Sequence, residues 1–130
     1  MAPPEPRIPK ILIVDDDPFI ADMYLLKFKE EGFDAKSASD GIEGLALVDS
    51  EKPDIILLDL LMPRMSGIEM LEALKGKRLL REPKVIILTN VGQKDEIDKA
   101  LGLGAIEYII KANFTPSEVV AKTKEICGIS

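Results

Sequence analysis

Three runs of consecutive apolar residues recur along the chain: ILIV at 11–14, IILL at 55–58 and VIIL at 85–88. Strands that are buried on both faces of a parallel sheet have such unbroken runs. Segments with apolar residues at helical spacing, such as GIEGLALV and IEMLEAL, lie between the strand candidates. Because strands alternate with helices, we expect an α/β fold, with a doubly wound, open parallel sheet and helices on both of its faces.

Five strands and several helix starts are predicted from the sequence. Helices are predicted to begin at Asp17 with Pro18 and at pairs with capping-box spacing: Asp40 with Glu43, Ser66 with Glu69, and Thr115 with Glu118. The predicted strands are residues 10–14, 33–38, 54–58, 84–89 and 106–110. We expect these elements to form one domain at residues 10–130, preceded by a proline-rich arm at residues 1–9.

The composition excludes several classes of function. The chain has no histidine, which excludes histidine-based acid–base catalysis, serine–histidine triads and histidine metal sites. Its net charge of −6 comes without a basic stripe, so we expect no direct contact with nucleic acid. No apolar run approaches the roughly 20 residues that cross a membrane, and prolines occupy the place of a signal peptide's apolar segment. We therefore expect a cytoplasmic protein with no membrane contact.

Polar residues collect where the predicted strands end. The carboxyl ends of parallel strands meet at one edge of the sheet, where such folds have their functional crevice. We interpret Asp17 as mainly the cap of the first helix, because Pro18 follows it. The other residues at this edge are Asp15 and Asp16 after the first strand, Asp59 after the third, Thr89 and Asn90 at the fourth, and Lys111 after the fifth.

The acids Asp15, Asp16 and Asp59 indicate a metal site. Together they carry a charge of −3, which Lys111 reduces to −2 and one divalent cation would neutralise. Hard carboxylate oxygens suit Mg²⁺, which takes few protein carboxylates and keeps positions open for a phosphate. We therefore expect Mg²⁺ as the cofactor.

Asp59 is the candidate nucleophile. It lies between the apolar segments IILL and LLMP, and the next helix already has its own cap in Ser66. A carboxylate beside a cation is equipped to attack phosphorus, while Lys111 and the metal neutralise the phosphoryl oxygens and Thr89 donates a hydrogen bond to one of them. The product of this reaction is an acyl phosphate.

Four separated motifs occur in order: VDDD at 14–17, LLDLLMPRMSG at 57–67, LTN at 88–90 and YIIK at 108–111. Together they resemble the receiver domain of two-component response regulators, including single-domain chemotaxis and phosphorelay receivers. The resemblance covers residues 10–127 and implies a (βα)5 flavodoxin-like fold with strand order 2-1-3-4-5. It also implies a signalling switch that catalyses only its own phosphorylation and dephosphorylation, with Mg²⁺-dependent transfer of a phosphoryl group from phosphohistidine.

The resemblance implies a role for each residue of the metal site. Asp59 would be the phosphoacceptor and a metal ligand, Asp16 would bind Mg²⁺ directly, and Asp15 would help to hold the ion. Leu61, two residues after the acceptor, would supply its backbone carbonyl to the metal.

The resemblance also implies that three further residues of this chain respond to phosphorylation. Thr89 would be the switch hydroxyl and Lys111 would bind the phosphate. Tyr108, three residues before the lysine, either turns inward when Thr89 moves or is an ordinary strand aromatic. Such switching is a shift in population between two conformations.

The chain departs from the family pattern after two of its motifs. The family has a proline in a cis bond after the lysine, whereas Ala112 follows Lys111 here, so we expect a trans bond and a reshaped loop. Asn90 is bulkier than the small residue usual there, and either narrows access to the phosphoryl site or bonds a substrate oxygen. Leu61 and Val91 are apolar at positions that, in the family this chain resembles, tune the lifetime of the acyl phosphate, which predicts slow hydrolysis.

The resemblance implies two kinds of partner. A histidine kinase or histidine phosphotransfer protein would supply the phosphoryl group, and residues 94–127 would form the output surface toward a downstream protein. A homodimer through that surface is an open alternative, in which Glu107 would pair with Lys122 of the other copy; both are otherwise ordinary surface charges. The chain is either a stand-alone receiver or a piece of a longer protein.

Three other functions would use a related fold or a similar site. A flavodoxin-like electron carrier needs a glycine- and hydroxyl-rich phosphate loop, but DDDPF follows the first strand. A dehalogenase-type phosphatase needs a second acid two residues after its nucleophile, where this chain has Leu61. A receiver-like interaction module that works without phosphorylation is the main alternative.

Overall fold

A five-stranded parallel sheet in the order β2-β1-β3-β4-β5 forms the centre of the molecule. The computed structural model describes residues 8–77, 82–90 and 94–129. The strands are β1 (Lys10–Val14), β2 (Asp34–Ala38), β3 (Ile55–Leu58), β4 (Lys84–Thr89) and β5 (Glu107–Ile110). The expected flavodoxin-like topology and strand order are confirmed.

Three of the predicted strands begin one residue later than expected. Phe33 lies in the turn that ends the preceding helix, because its N–H donates to the carbonyl of Phe28. Asp54 and Ile106 each donate one backbone hydrogen bond to a neighbouring strand, but the regular ladder starts at the next residue. The other two strands, β1 and β4, have the predicted bounds.

The described residues form five α-helices, which connect and follow the strands: α1 (Pro18–Glu30), α2 (Gly41–Glu51), α3 (Gly67–Lys75), α4 (Lys94–Gly102) and α5 (Pro116–Cys127). The predicted capping boxes at Ser66 and Thr115 are formed. At α2, Asp40 caps the helix through the Glu43 N–H, but the Glu43 side chain accepts from the backbone and hydroxyl of Ser39 instead. The return half of that capping box is therefore displaced by one residue.

Both faces of the sheet are buried. Alternate strand residues, such as Ile56 and Leu58, pack with α2, α3 and α4 on one face. Their neighbours, such as Ile55 and Leu57, pack with α1 and α5 on the other. Burial on both faces explains why the strand sequences are continuously apolar. Polar groups are therefore found at the strand ends.

The ends of the chain add two observations. Pro9, within the predicted arm, accepts a hydrogen bond from Asp34 N–H at 3.0 Å and so lengthens the pairing of β1 with β2. The rest of the arm up to residue 7, and the predicted modulator Val91, lie outside the described residues. Among the helices of the described ranges, none has the length and apolar character needed to span a bilayer.

Candidate functional site

Three carboxylates meet at the carboxyl edge of the sheet. Asp15 and Asp16 follow β1 and Asp59 follows β3, and one oxygen of each lies within 4.8 Å of the others. Asp15 and Asp59 are buried, whereas Asp16 is exposed. Adjacent carboxylates repel one another, and their hard oxygens are ligands suited to a divalent cation. The residues therefore fit Mg²⁺, with solvent access on the side of Asp16.

Lys111 and Thr89 join the cluster from the other side. Lys111 Nζ donates to Asp15 Oδ2 at 2.6 Å and to Asp59 Oδ2 at 3.0 Å. Thr89 Oγ1 donates to Asp59 Oδ1 at 3.3 Å. The structure thus brings together all five residues that the sequence placed at this edge as a phosphate and metal site.

The segment after β5 has the backbone that the sequence predicted. None of the described peptide bonds is cis, so the bond between Lys111 and Ala112 is trans as expected. Residues Lys111–Asn113 form one turn of 3₁₀ helix before α5. From this turn the Lys111 side chain, 9% exposed, still reaches both carboxylates, because the two anions attract its ammonium.

Burial and neighbouring charges shift the pKa values of Asp59 and Lys111 in opposite directions. Burial raises the pKa of the Asp59 carboxyl, and the charge and hydrogen bond of Lys111 offset only part of this rise. Burial alone would lower the pKa of Lys111, but its contacts with Asp15 and Asp59 outweigh burial and raise that pKa. Lys111 therefore stays charged, and Asp59 is a more basic carboxylate than an exposed aspartate.

Asp17 is separate from the cluster. Its Oδ1 accepts from the N–H groups of Phe19 and Ile20 at 3.0 and 3.3 Å, as the cap of α1. Its own N–H donates to Asp15 Oδ1 at 2.9 Å, which orients the Asp15 carboxylate. The prediction that Asp17 mainly starts the helix is confirmed.

Two of the predicted modulators, Leu61 and Asn90, and the predicted switch residue Tyr108 lie on the surface. Leu61 and Tyr108 are 57% and 43% exposed, and Asn90 is also exposed. The Leu61 N–H lies 3.4 Å from Asp59 Oδ1. Tyr108 therefore points to solvent in this conformation, which is compatible with both interpretations of that side chain.

Sequence reasoning missed the contacts of the segment after Asp59, residues 60–66, which we call the acceptor loop. The guanidinium of Arg64 in this loop binds the buried carboxylate of Asp40, which the sequence indicated only as a helix cap. A Cβ at Gly67 would overlap the carbonyl oxygen of Asp59, so the start of α3 packs directly on the loop. Of these contacts, the sequence indicates only the close approach at Gly67, because a glycine is required there.

Comparison with known proteins agrees with the fold. The strand order places the chain among the flavodoxin-like α/β proteins. The family model described as the response regulator receiver domain matches residues 11–124. The chain belongs to this family, which carries signals in two-component systems, and the resemblance of its motifs is confirmed.

Curated relatives and a solved structure share this domain. The alkaline phosphatase synthesis transcriptional regulatory protein PhoP of Bacillus subtilis is 40% identical over 119 residues, 90% of this chain and 48% of that protein. The DNA-binding response regulator MtrA of Mycolicibacterium smegmatis is 38% identical over 117 residues, 88% of this chain and 49% of MtrA. The CheY-like receiver domain protein of Methanospirillum hungatei has a TM-score of 0.81 and 33% identity, covering 92% of this chain and 93% of that one. The chain spans about half the length of the curated relatives it matches.

Proposed function

We propose that this domain is a phosphoacceptor switch in which Asp59 receives a phosphoryl group from a phosphohistidine. The donor would be a histidine kinase or a histidine phosphotransfer protein, and the reaction would take place in the cytoplasm. The observation that carries the proposal is the environment of Asp59, with Lys111 on one carboxylate oxygen and Thr89 on the other. Few structural roles for a buried aspartate need both a cation and two further acids nearby.

The proposed transfer is a single displacement at phosphorus. A carboxylate oxygen of Asp59 forms the new O–P bond as the N–P bond of the donor breaks. The electron pair of that bond goes to the imidazole nitrogen, which takes up a proton. Lys111 compensates charge on the phosphoryl oxygens, and it can do so because its ammonium is already held 3.0 Å from the acceptor oxygen.

The acids of the site would hold Mg²⁺ during the transfer. Asp15, Asp16 and Asp59 supply carboxylate oxygens, and the backbone carbonyl of Leu61 would complete the protein ligands. When bound, the ion supplies positive charge to the phosphoryl oxygens. Exposure of Asp16 leaves the open side that a phosphate and water ligands need.

The switch would act through Thr89 and Tyr108. Thr89, 1% exposed, bonds Asp59 Oδ1 in this conformation and would transfer its hydrogen bond to a phosphoryl oxygen. The space left by that hydroxyl would accept the Tyr108 ring. Phosphorylation then favours the conformation with Tyr108 buried, because only that conformation gains the new hydrogen bond.

The output is proposed to be a contact with a downstream protein through residues 94–127. The related PhoP and MtrA are a transcriptional regulator and a DNA-binding response regulator. Because the chain covers only about half of each, the absence of direct nucleic-acid binding is proposed for this receiver domain alone. A homodimer that pairs Glu107 with Lys122 is a further prediction for the same surface.

The test is the intact mass of the protein after incubation with Mg²⁺ and a small-molecule phosphodonor. The proposal predicts a mass increase of one phosphoryl group in the wild type, none in Asp59→Asn, and none in the wild type when a chelator removes Mg²⁺. Asp49→Asn is the matched control, since Asp49 is an exposed acid on α2, and it should be phosphorylated as the wild type is. An unmodified wild type would instead support the module that works without phosphorylation.

A further inference from the structure

Two backbone hydrogen bonds hold the acceptor loop in place. Gly67 N–H donates to Leu60 O at 3.0 Å, which closes the loop on itself. Gly41 N–H, at the start of α2, donates to Met65 O at 3.2 Å. The conformation of the loop therefore depends on where α2 begins.

An ion pair adds a third attachment. Asp40 Oδ2 accepts from Arg64 Nε at 2.6 Å and from Arg64 Nη2, while Asp40 Oδ1 accepts from Glu43 N–H at 2.9 Å. One carboxylate thus holds the first turn of α2 with one oxygen and the acceptor loop with the other. The Asp40 side chain is 3% exposed, and two groups hold its carboxylate: the Glu43 N–H and the guanidinium of Arg64, whose own side chain is 63% exposed.

Arg64 has a backbone conformation that is unfavourable for a residue with a long side chain. Arg64 has φ of +64°, in the left-handed region that disfavours residues with a Cβ. Glycine or asparagine would adopt this conformation at lower cost. A long cationic side chain at such a position is therefore explained by what it contacts, which is Asp40.

We propose that the Asp40–Arg64 ion pair is a positioning device for the acceptor loop and that it sets the affinity of the site for Mg²⁺. The inference rests on the proposed function, because Leu61 lies in this loop and its backbone carbonyl is a proposed metal ligand. Neither Asp40 nor Arg64 belongs to the acidic cluster. Their effect passes through the loop: a loop that is held fixed presents the carbonyl in one direction, and a released loop does not.

Two substitutions each remove one partner of the ion pair while preserving the local backbone structure. Asp40→Asn keeps a good helix cap for α2 but removes the charge that binds Arg64. Arg64→Gly removes the guanidinium and suits the positive φ, so the backbone conformation remains accessible. The double variant tests whether the two side chains act together.

A second ion pair serves as the matched control. Lys77 Nζ lies 3.1 Å from Asp49 and also joins α2 to the segment after α3. It lies near the opposite ends of both helices, away from the acceptor loop. Asp49→Asn and Lys77→Gly therefore remove the two charges of an ion pair between the same two regions without touching the loop.

The experiment measures Mg²⁺ binding to the unphosphorylated protein by calorimetry, with the free energy of unfolding measured in parallel. We expect Asp40→Asn and Arg64→Gly each to weaken Mg²⁺ binding about tenfold. The double variant should bind Mg²⁺ no more weakly than either single variant, because the two substitutions remove the same interaction. The control variants should bind as the wild type does.

The outcomes distinguish the inference from the function on which it rests. Unchanged Mg²⁺ affinity in both single variants, with only their unfolding altered, would overturn the inference and leave a purely structural ion pair. Additive losses in the double variant would also overturn it. A wild type that neither binds Mg²⁺ nor accepts a phosphoryl group would contradict the proposed function itself.

Discussion

Lys111 Nζ lies 3.0 Å from Oδ2 of Asp59, so a side chain from the end of β5 reaches a carboxylate at the end of β3, across the intervening strand β4. The same ammonium contacts Asp15 after β1. One cation thus connects the ends of three strands, and the other charged groups of the site within the described part of the chain are carboxylates. Its removal should affect both the stability of the domain and its affinity for metal.

Replacement of this cation should destabilise the apo protein and tighten metal binding. In Lys111→Met, two buried carboxylates lose their counter-ion, which should lower the free energy of unfolding by about 3 kcal/mol. Mg²⁺ should bind more tightly, because it no longer competes with the ammonium. Denaturant unfolding with and without Mg²⁺ measures both effects. Lys77→Met, which breaks an exposed pair, is the control and should change stability by less than about 1 kcal/mol.

Asp59→Asn should stabilise the protein at neutral pH. Burial raises the folded pKa of Asp59 above its unfolded value, so the folded state holds its proton to higher pH than the unfolded state does. The charged carboxyl therefore reduces stability above that folded pKa, and this penalty disappears as the pH falls below the unfolded value of about 3.9. We expect a gain of about 1 kcal/mol at neutral pH that vanishes in acid. A variant less stable than the wild type at neutral pH would contradict this assignment.

Quenching of tyrosine fluorescence should report the switch. The chain has two tyrosines and no tryptophan, and Tyr24 is 3% exposed whereas Tyr108 is 43% exposed. Acrylamide quenching therefore reports mainly on Tyr108. Phosphorylation should reduce quenching in the wild type and in Thr89→Ser, which keeps the hydroxyl, but not in Thr89→Ala. Equal protection in Thr89→Ala would show that Tyr108 moves without that hydroxyl.

Leu61 should prolong the life of the acyl phosphate. Its exposed apolar side chain, two residues after the acceptor, offers no group to orient an attacking water molecule. Leu61→Asn supplies such a group and should accelerate dephosphorylation, whereas Leu61→Met, an apolar control of similar volume, should not. Loss of the phosphoryl group is followed by intact mass after the donor is removed, and equal rates in all three proteins would contradict the prediction.

Much of the site follows from the sequence because a parallel sheet brings its strand ends together. Once IILL and VIIL are interpreted as buried strands, Asp59 and Thr89 must lie at one edge. The same argument places Asp15 and Lys111, although they are 96 positions apart in the chain. The strand order and the polar residues at the strand ends both place the site at this edge. This inference requires no knowledge of side-chain conformations.

The rest depends on side-chain contacts that have no periodicity. Nothing in MPRMSG indicates that Arg64 takes a positive φ and turns back to Asp40. Ser39 precedes the expected cap of α2, and its competition for Glu43 follows from local geometry alone. The direction of Lys111 after a trans bond was likewise unpredictable, since the attraction of two carboxylates rather than the turn decides it.

The central claim is that Asp59 carries the phosphoryl group. The direct measurement is borohydride reduction of the protein after treatment with Mg²⁺ and a phosphodonor, followed by peptide mass analysis. Reduction converts an aspartyl phosphate to homoserine and so marks the acceptor. We predict homoserine at position 59 alone. Homoserine at Asp15 or Asp16, or at no position in a protein that has bound Mg²⁺, would contradict the account.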